Sequence, residues 1–238
     1  LFEMGYTNKV TEVLESQGYN QMLFIGSSKD FAGRGKYFTQ HGNYDIRDVY
    51  WAREQGLIPE DYWEWWGYED RKLFDFAKDS LSELAAKDEP FNFTMLTTDT
   101  HFEDGYATEE TPNLFNDQYS NVIHDNDRQV KAFIEWIQAQ PFYENTTVVI
   151  VGDHLTMDSD FFDNDDPNYQ RTVYNAFLNT TQTASRVTDR QATALDLFPT
   201  TLAALNVTIE GERLGLGTNL FSAKPTLAEE LGFDSFYT

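Results

Sequence analysis

The sequence contains no cysteine, and it has few basic residues: 17 Lys and Arg stand against 40 Asp and Glu, a formal net charge of −23. The absence of cysteine excludes disulfides, Cys-ligated zinc and a thiol nucleophile. The acidic balance argues against sequence-independent binding to nucleic acid or to anionic lipid surfaces, because both need a basic face. The sequence also lacks any run of about 18 apolar residues, the length that a membrane-spanning helix needs.

The chain begins at Leu1 with neither an initiator Met nor the basic and apolar segments of a signal peptide. We therefore expect a mature product or an excised piece of a longer protein. Of its 238 residues, 40% are hydrophobic and 16% aromatic, which is too apolar for a disordered acidic tail. A chain of this length can bury a sizeable core as one large domain or at most two.

Hydrophobic periodicity alternates between strand and helix along the chain. The predicted strands are 21–25, 91–98, 146–151 and 173–178, and the predicted helices are 8–17, 69–87, 121–140 and 196–205. Strands separated by helices favour an α/β fold, with a mainly parallel sheet and helices on both faces. Two long irregular stretches, 26–68 and 98–119, lie between these elements. Long loops of this kind are often functional, and ligands of open α/β sheets bind beyond the carboxyl ends of the strands.

The Val-rich strand 146–151 is followed by Gly152, Asp153 and His154. A carboxylate and an imidazole at one strand end suit Mn²⁺ or Zn²⁺ better than Ca²⁺. The alternative is structural: Asp153 caps the next turn and His154 packs beside it. The residue types alone leave both interpretations open.

A second strand exit carries His101, within Thr97-Thr-Asp-Thr-His101. Its imidazole could bind a phosphate oxygen or act as an acid. Taken alone, a solvated histidine on a polar loop is the favoured interpretation.

The third strand exit, residues 26–36, combines small residues with Lys29, Arg34 and Lys36. The guanidinium of an arginine suits a phosphate, whereas the spacing of the glycines excludes a Walker loop. A simple surface turn explains this segment equally well.

The densest aromatic cluster is Trp63-Glu-Trp-Trp66-Gly-Tyr68. If it is exposed, it could form a platform for a sugar or a patch close to a membrane. If it is buried, it forms a lid packed on the sheet. Packing is the favoured interpretation, because three indole rings are costly to leave in water.

Six short strings occur in one order, and together they indicate more than any one of them does. They are Phe31-Ala-Gly-Arg-Gly35 with His41-Gly42, Trp66-Gly-x-x-Asp70, Thr98-Asp-Thr-His101 followed by Asp104-Gly105, Gly152-Asp-His-Leu-x-Met157, Asp196-Leu-Phe-Pro-Thr200 and Leu214-Gly-Leu-Gly217. The series resembles the phosphoglycerol transferases of the alkaline phosphatase/sulfatase superfamily. It is most similar to the transferases that modify osmoregulated periplasmic glucans and cell-wall polysaccharide, with lipoteichoic acid synthase a more distant relative.

The resemblance implies an extracytoplasmic domain that holds one divalent metal, with Mn²⁺ the first choice and Mg²⁺ or Zn²⁺ as alternatives. By the matching strings, Asp153 and His154 would be two of the metal ligands. His101 would bind the phosphate of the glycerol phosphate group and take part in catalysis. Arg34 would lie over the same group, with His41 a weaker candidate nearby.

The reaction that the resemblance implies moves glycerol phosphate from a phosphatidylglycerol-like lipid donor to a cell-envelope glycan or a polyglycerol phosphate acceptor. It proceeds by two in-line displacements through a phosphorylated threonine. In the family this threonine and an acidic metal ligand lie upstream of the segment that matches 8–17. We therefore expect residues 1–238 to be the C-terminal portion of a sulfatase-like catalytic domain, without an internal boundary. The chain alone would be inactive, and the parent protein would be membrane-anchored through N-terminal helices missing here.

Two other functions remain open at this stage. A phosphodiesterase or sulfatase-type hydrolase of the same superfamily would share the metal but need no acceptor. A non-catalytic polysaccharide-binding domain that kept the fold would bind no metal at Asp153 and His154 and no phosphate near Arg34.

Overall fold

The structure is a computed structural model that describes residues 10–162 and 168–236. Residues 8 and 9 of the first predicted helix lie outside this range. The chain divides into two compact units. Within the described residues the first unit contains 11–140, 156–162 and 168–170, and the second contains Val10, 141–155 and 171–236. The predicted extent of the parent domain stays a prediction.

A three-stranded parallel sheet forms the centre of the first unit. Strand β1 (Asn20–Ile25) lies between β2 (Asp45–Arg47) and β3 (Phe91–Leu96), and both pairings are parallel. Phe24 of β1 contacts Trp51, whereas its neighbours Leu23 and Ile25 pack in a cluster with Phe38. Because successive side chains of a strand point to opposite faces, these contacts cover both faces of the sheet. The predicted α/β fold with a parallel sheet is confirmed.

In the described part of the first unit, and extending by one residue beyond it, lie the α-helices α1 (Val10–Ser16), α2 (Arg34–Gln40), α3 (Val49–Glu54), α4 (Asp70–Ala85) and α5 (Gln118–Gln138). The two longest coincide with the predicted helices 69–87 and 121–140. The inward face of α4 is spaced by three and four residues, as an amphipathic helix requires, and includes Leu73, Phe74, Ala77, Leu81 and Leu84. Phe74 meets Phe133 of α5 with ring centroids 5.3 Å apart.

The stretch 26–68 is more regular than the sequence indicates. It contains a 3₁₀ turn (Phe31–Gly33), α2, β2 and α3. The expectation of an irregular segment was wrong there, because these elements are only three to seven residues long and depend on tertiary contacts more than on periodicity. The second stretch agrees with the prediction: residues 97–117 contain neither helix nor strand.

The second unit contains β4 (Val148–Val151) and β5 (Asn175–Leu178), which pair antiparallel. Both strands were predicted, and their direction shows that the parallel pattern belongs to the first unit. The α-helices and strands that follow in the described residues of the second unit are α6 (Leu197–Ala204), a hairpin of β6 (Arg213–Leu214) and β7 (Gly217–Thr218), α7 (Leu227–Leu231) and α8 (Phe233–Phe236). Within the described ranges, no helix has both the length and the apolarity needed to cross a bilayer.

Asp48 joins the exit of β1 to the start of α3. Its carboxylate accepts hydrogen bonds from the backbone N–H groups of Tyr50 and Trp51, each at 3.1 Å, and thereby caps α3. The same carboxylate accepts a third bond from the N–H of Lys29 at 2.9 Å. The side chain is only 1% exposed, so this buried carboxylate has its charge compensated by three backbone donors.

We expect Asp48→Ala to lower the free energy of unfolding by about 1–3 kcal/mol, because it removes a helix cap and leaves three backbone N–H groups without this acceptor. Chemical denaturation measures this loss. Asp45→Ala is the matched control: Asp45 is 55% exposed and its only side-chain role is an ion pair with Arg47, which we expect to contribute about 1 kcal/mol or less. Equal losses in the two variants would contradict the assigned role of Asp48.

Candidate active site

Arg34 is the first residue of α2, and the loop after β1 holds its guanidinium in place. Nε donates to the carbonyl of Ser28 at 3.0 Å, and Nη2 donates to the same carbonyl at 2.6 Å and to the hydroxyl of Ser27. Burial lowers the pKa of Arg34 from its ordinary value, and the negative charge of Asp48 opposes that shift. Arginine remains protonated in proteins, so the structure places a fixed cation at this strand exit.

Two aromatic rings connect Arg34 with His101. The guanidinium lies 5.5 Å from the ring of Phe31, which meets Trp66 edge-on at 5.3 Å. Trp66 in turn contacts the imidazole of His101 at 4.8 Å between ring centroids. We call these four residues the Arg34–His101 cluster. Two of the residues that the sequence proposes for phosphate binding are therefore linked through two aromatic rings.

The imidazole of His101 is oriented by its own loop. Nδ1 lies 2.7 Å from the carbonyl of Phe102, and because a carbonyl only accepts, Nδ1 carries the hydrogen. In the neutral ring this leaves the lone pair on Nε2, and in the protonated ring Nε2 is a second donor. The backbone N–H of His101 donates to the carbonyl of Thr98 at 3.0 Å, which closes the turn after β3.

A close backbone contact holds Trp66 beside Phe31. Ser27 pairs with Gly67 in an isolated β-bridge, and the N–H of Tyr68 donates to the carbonyl of Gly26 at 3.0 Å. A Cβ atom on Gly67, whose φ is +157°, would lie 2.0 Å from the carbonyl oxygen of Gly26. Glycine is thus required at position 67 of the Trp-Gly-x-x-Asp string.

The aromatic segment 63–68 is partly exposed and partly packed. Trp63 is 46% exposed, Trp65 and Trp66 are half-buried, and Tyr68 is buried. Trp65 stacks on Tyr106 at 6.1 Å. Both proposed interpretations of this segment therefore apply to part of it: the C-terminal half packs, and the N-terminal half faces solvent.

His41 lies elsewhere in the first unit. It caps the C-terminal end of α2, roughly 10 Å along the helix from Arg34. Its Nδ1 is 2.7 Å from the carboxylate of Glu12, and its ring contacts Tyr37 at 5.1 Å. The structure does not bring His41 into the Arg34–His101 cluster.

Asp153 and His154 belong to the second unit and directly follow β4 and Gly152. Nδ1 of His154 lies 2.7 Å from the carbonyl of Leu155, which leaves the lone pair on Nε2. Nε2 is 3.4 Å from Oδ2 of Asp153, and the side chains of Asp153 and His154 are 68% and 56% exposed. An imidazole nitrogen and a carboxylate oxygen this close together fit two donors of a divalent metal site. No group of three or more His, Cys, Asp or Glu side chains suited to a metal occurs among residues 10–162 and 168–236.

Two buried aspartates that the sequence analysis left without a role support the His101 loop. Asp70, at the start of α4, accepts from the backbone N–H groups of Thr98 at 2.8 Å and Asp99 at 2.9 Å. Asp99 accepts in return from the backbone N–H of Asp70 at 3.0 Å. Both positions lie in strings of the motif series, but their pairing spans 29 positions and no local pattern reveals it.

Comparison with known proteins identifies the lineage. The Sulfatase family profile matches residues 3–207. The chain belongs to the sulfatase family. It is 30% identical over 161 residues to phosphoglycerol transferase I of Xanthomonas axonopodis pv. citri, which is 64% of this chain and 22% of that protein. It is 27% identical over 156 residues to phosphoglycerol transferase I of Escherichia coli, or 62% of this chain and 20% of that protein. The chain thus spans about a fifth of the length of these curated relatives.

Two solved structures share the fold. An alkaline phosphatase superfamily protein from Vibrio parahaemolyticus aligns with a TM-score of 0.61 and 18% identity, over 88% of this chain and 52% of that one. The lipoteichoic acid synthase LtaP from Listeria monocytogenes aligns with a TM-score of 0.61 and 16% identity, over 90% of this chain and 57% of that one. The resemblance that the motif series indicates, and the alkaline phosphatase/sulfatase-like fold, are confirmed.

We expect Gly67→Ala to displace Trp66 from His101, because the added methyl group meets the backbone of Gly26. The free energy of unfolding should fall by about 1–3 kcal/mol, and the imidazole NMR signal of His101 should shift. Gly56→Ala is the control, since Gly56 also has a positive φ (+68°) but has open space around it. An unchanged His101 signal in Gly67→Ala would contradict the proposed support of the cluster.

Proposed function

We propose that this sulfatase-family chain contributes to a phosphoglycerol transferase. The donor would be a phosphatidylglycerol-like lipid, and the acceptor a cell-envelope glycan or a polyglycerol phosphate polymer. The observation that carries the proposal is the Arg34–His101 cluster, in which a fixed guanidinium and an imidazole are joined by two aromatic rings. The relatives named phosphoglycerol transferase I support the same class of reaction.

Each member of the cluster has a role that its chemistry supports. The Arg34 guanidinium neutralises charge on the phosphate oxygens, and this stabilisation increases as negative charge develops in the transition state. In its protonated form His101 donates a hydrogen bond from Nε2 to a phosphate oxygen, and the Phe102 carbonyl keeps the ring in that orientation. Phe31 and Trp66 exclude water from one side of the phosphate and present apolar surface to the glycerol carbons.

The roles proposed for these residues are binding, charge neutralisation and proton placement. The family resemblance implies that the nucleophile is the hydroxyl of a threonine, which becomes phosphorylated in the first displacement. None of Thr97, Thr98 and Thr100 matches the nucleophile motif, so we assign that step to none of them. Accordingly, we expect the chain alone to show little or no turnover.

We further propose that Asp153 and His154 supply two ligands of a divalent cation, with Mn²⁺ the first choice. When bound, such a cation stabilises charge on phosphate oxygens as a Lewis acid. The Leu155 carbonyl fixes the tautomer that leaves Nε2 of His154 free to ligate, an arrangement typical of metal-binding histidines. A phosphatidylglycerol-like donor resides in a membrane, so we propose that the parent protein is membrane-anchored and acts on the extracytoplasmic side.

In the full-length protein that carries this chain, we expect Arg34→Gln and His101→Gln each to lower transfer by about 100-fold or more, since each removes a group aimed at the phosphate. The measurement follows radiolabelled glycerol phosphate from phosphatidylglycerol to acceptor. Lys131→Gln removes one positive charge from an exposed position on α5 and should leave transfer unchanged.

Full activity in both Arg34→Gln and His101→Gln would overturn the assignment. Release of free glycerol phosphate to water, with no labelled acceptor, would indicate the hydrolase of the same superfamily. The absence of both products, together with binding of polysaccharide, would indicate the non-catalytic domain.

We expect Asp153→Ala and His154→Ala each to weaken Mn²⁺ binding by about tenfold or more, because each removes one of two adjacent donors. Isothermal titration of the purified chain with Mn²⁺ measures this, and chelation followed by Mn²⁺ addition tests dependence of transfer in the full-length protein. His124→Ala is the control, because His124 packs against Phe115 on another element. Identical Mn²⁺ affinity in all three variants would contradict the site.

A further inference from the structure

The exit of β3 is fastened to the start of α4 by two buried aspartates in different hydrogen-bonding situations. Asp70 is 0% exposed and Asp99 is 4% exposed. Oδ1 of Asp70 accepts from the N–H of Thr98, and Oδ2 accepts from the N–H of Asp99 and from the side-chain amide of Asn126 at 3.1 Å. With three donors on its two oxygens, Asp70 has the surroundings of a charged carboxylate.

Asp99 has the opposite surroundings. Its Oδ2 accepts from the N–H of Asp70, but its Oδ1 is buried and has no hydrogen-bond partner. A charged oxygen left without a donor away from water is far more costly than the oxygen of a neutral acid. Geometry therefore favours a proton on Asp99 and a charge on Asp70.

The charges that face the pair act in the same direction. Asp125 of α5 is buried and shares its carboxylate with Arg71, Arg128 and Gln129. Glu69 precedes Asp70 and pairs with Lys72. Burial, followed by the negative charge of Asp70, raises the pKa of Asp99 to about 8, with smaller contributions from Glu69 and Asp125. Burial also raises the pKa of Asp70, but the N–H groups of Thr98 and Asp99 oppose that shift.

We propose that Asp70 and Asp99 form a positioning lock for His101, in which Asp70 is the anion that the backbone N–H groups require and Asp99 carries a proton. The carbonyl of Thr98 accepts the N–H of His101 at 3.0 Å, and the carbonyl of Asp99 accepts the N–H of Tyr106 at 2.7 Å. Thr98 and Asp99 thus donate their N–H groups to Asp70 and accept, through their carbonyls, hydrogen bonds from the residues that follow in the loop. Asp70 and Asp99 act through the backbone and are positioning residues.

The proposed lock predicts that the same Asp-to-Asn substitution has different effects on the His101 loop at positions 99 and 70. Asn is the isostere of a protonated Asp, so Asp99→Asn should keep the bond to the N–H of Asp70 and leave the imidazole NMR signal of His101 in place. Asp70→Asn points an NH₂ group at a backbone N–H and should shift that signal and lower the melting temperature. The chain has four histidines, and His101→Gln assigns the signal.

The pH dependence of the free energy of unfolding gives a second readout. If Asp99 were only a structural residue without a retained proton, the stability difference between wild type and Asp99→Asn would not vary with pH. Asp99 has a raised pKa in the folded protein, so the folded state retains a proton that the unfolded state has lost between about pH 4 and pH 8. This group therefore lowers the stability of the wild-type protein as the pH rises through that window. Asp99→Asn removes the effect, so its stability relative to wild type should increase from about pH 4 to about pH 8.

Infrared spectroscopy keeps the test decisive if Asp70→Asn fails to fold. The wild-type chain at pH 7 should show a carboxylic acid C=O band that Asp99→Asn lacks. Absence of that band in the wild type, or equal displacement of the His101 signal in the two Asn variants, would overturn the lock. Only the functional meaning of the lock rests on the proposed transferase activity. If no form of the full-length protein transfers glycerol phosphate, the proposed function fails while the NMR, pH and infrared readouts still decide the lock.

Discussion

The structure of the first unit depends on one constraint: backbone N–H groups that follow the parallel strands must find hydrogen-bond acceptors. Two buried carboxylates meet it. Asp48 accepts from the N–H of Lys29 after β1, and Asp70 accepts from the N–H groups of Thr98 and Asp99 after β3. Each carboxylate also lies at the start of a helix, where the partial positive charge of the helix end favours an anion. Acidic residues therefore do structural work at the edge of the sheet where ligands bind in α/β folds.

The Arg34–His101 cluster follows from this constraint. Because β1 and β3 are hydrogen-bonded neighbours in parallel register, the loops that leave them emerge side by side. One loop supplies Phe31 and Arg34, the other supplies His101, and the Gly26–Gly67 contact inserts Trp66 between them. Tethering each loop by a carboxylate fixes the backbone from which these side chains project. The cluster is thus assembled by main-chain hydrogen bonds and needs few direct polar contacts between its members.

The sequence predicts the elements whose signal lies within a short segment, and it misses features that depend on contacts between distant residues. The helices α4 and α5 and the strands β1, β3, β4 and β5 carry strong periodicity or β-branched runs, and the parallel sheet follows from their alternation. The helices α2 and α3 were missed, because α3 depends on the cap of Asp48 and α2 follows a left-handed residue at Gly33. Motif order predicts roles for Arg34 and His101, but their connection through Phe31 and Trp66 is tertiary. The pairing of His41 with Glu12 spans 29 positions, and so does that of Asp70 with Asp99, so no local pattern contains either.

The acidity of the chain makes the placement of its charges important. A net charge of −23 opposes the approach of any phosphate, and buried carboxylates near the ligand would strengthen that opposition in a medium of low dielectric. In the first unit this repulsion is limited locally. Asp48 and Asp70 direct their charge at backbone N–H groups, and a proton on Asp99 would remove a third charge from the same loop. The groups of the cluster that can donate to an anion are then the guanidinium of Arg34 and, in the protonated imidazole, the Nε2–H of His101. The proposed phosphate-binding site is compatible with so acidic a chain, because the buried carboxylates of Asp48 and Asp70 already accept hydrogen bonds from the main chain.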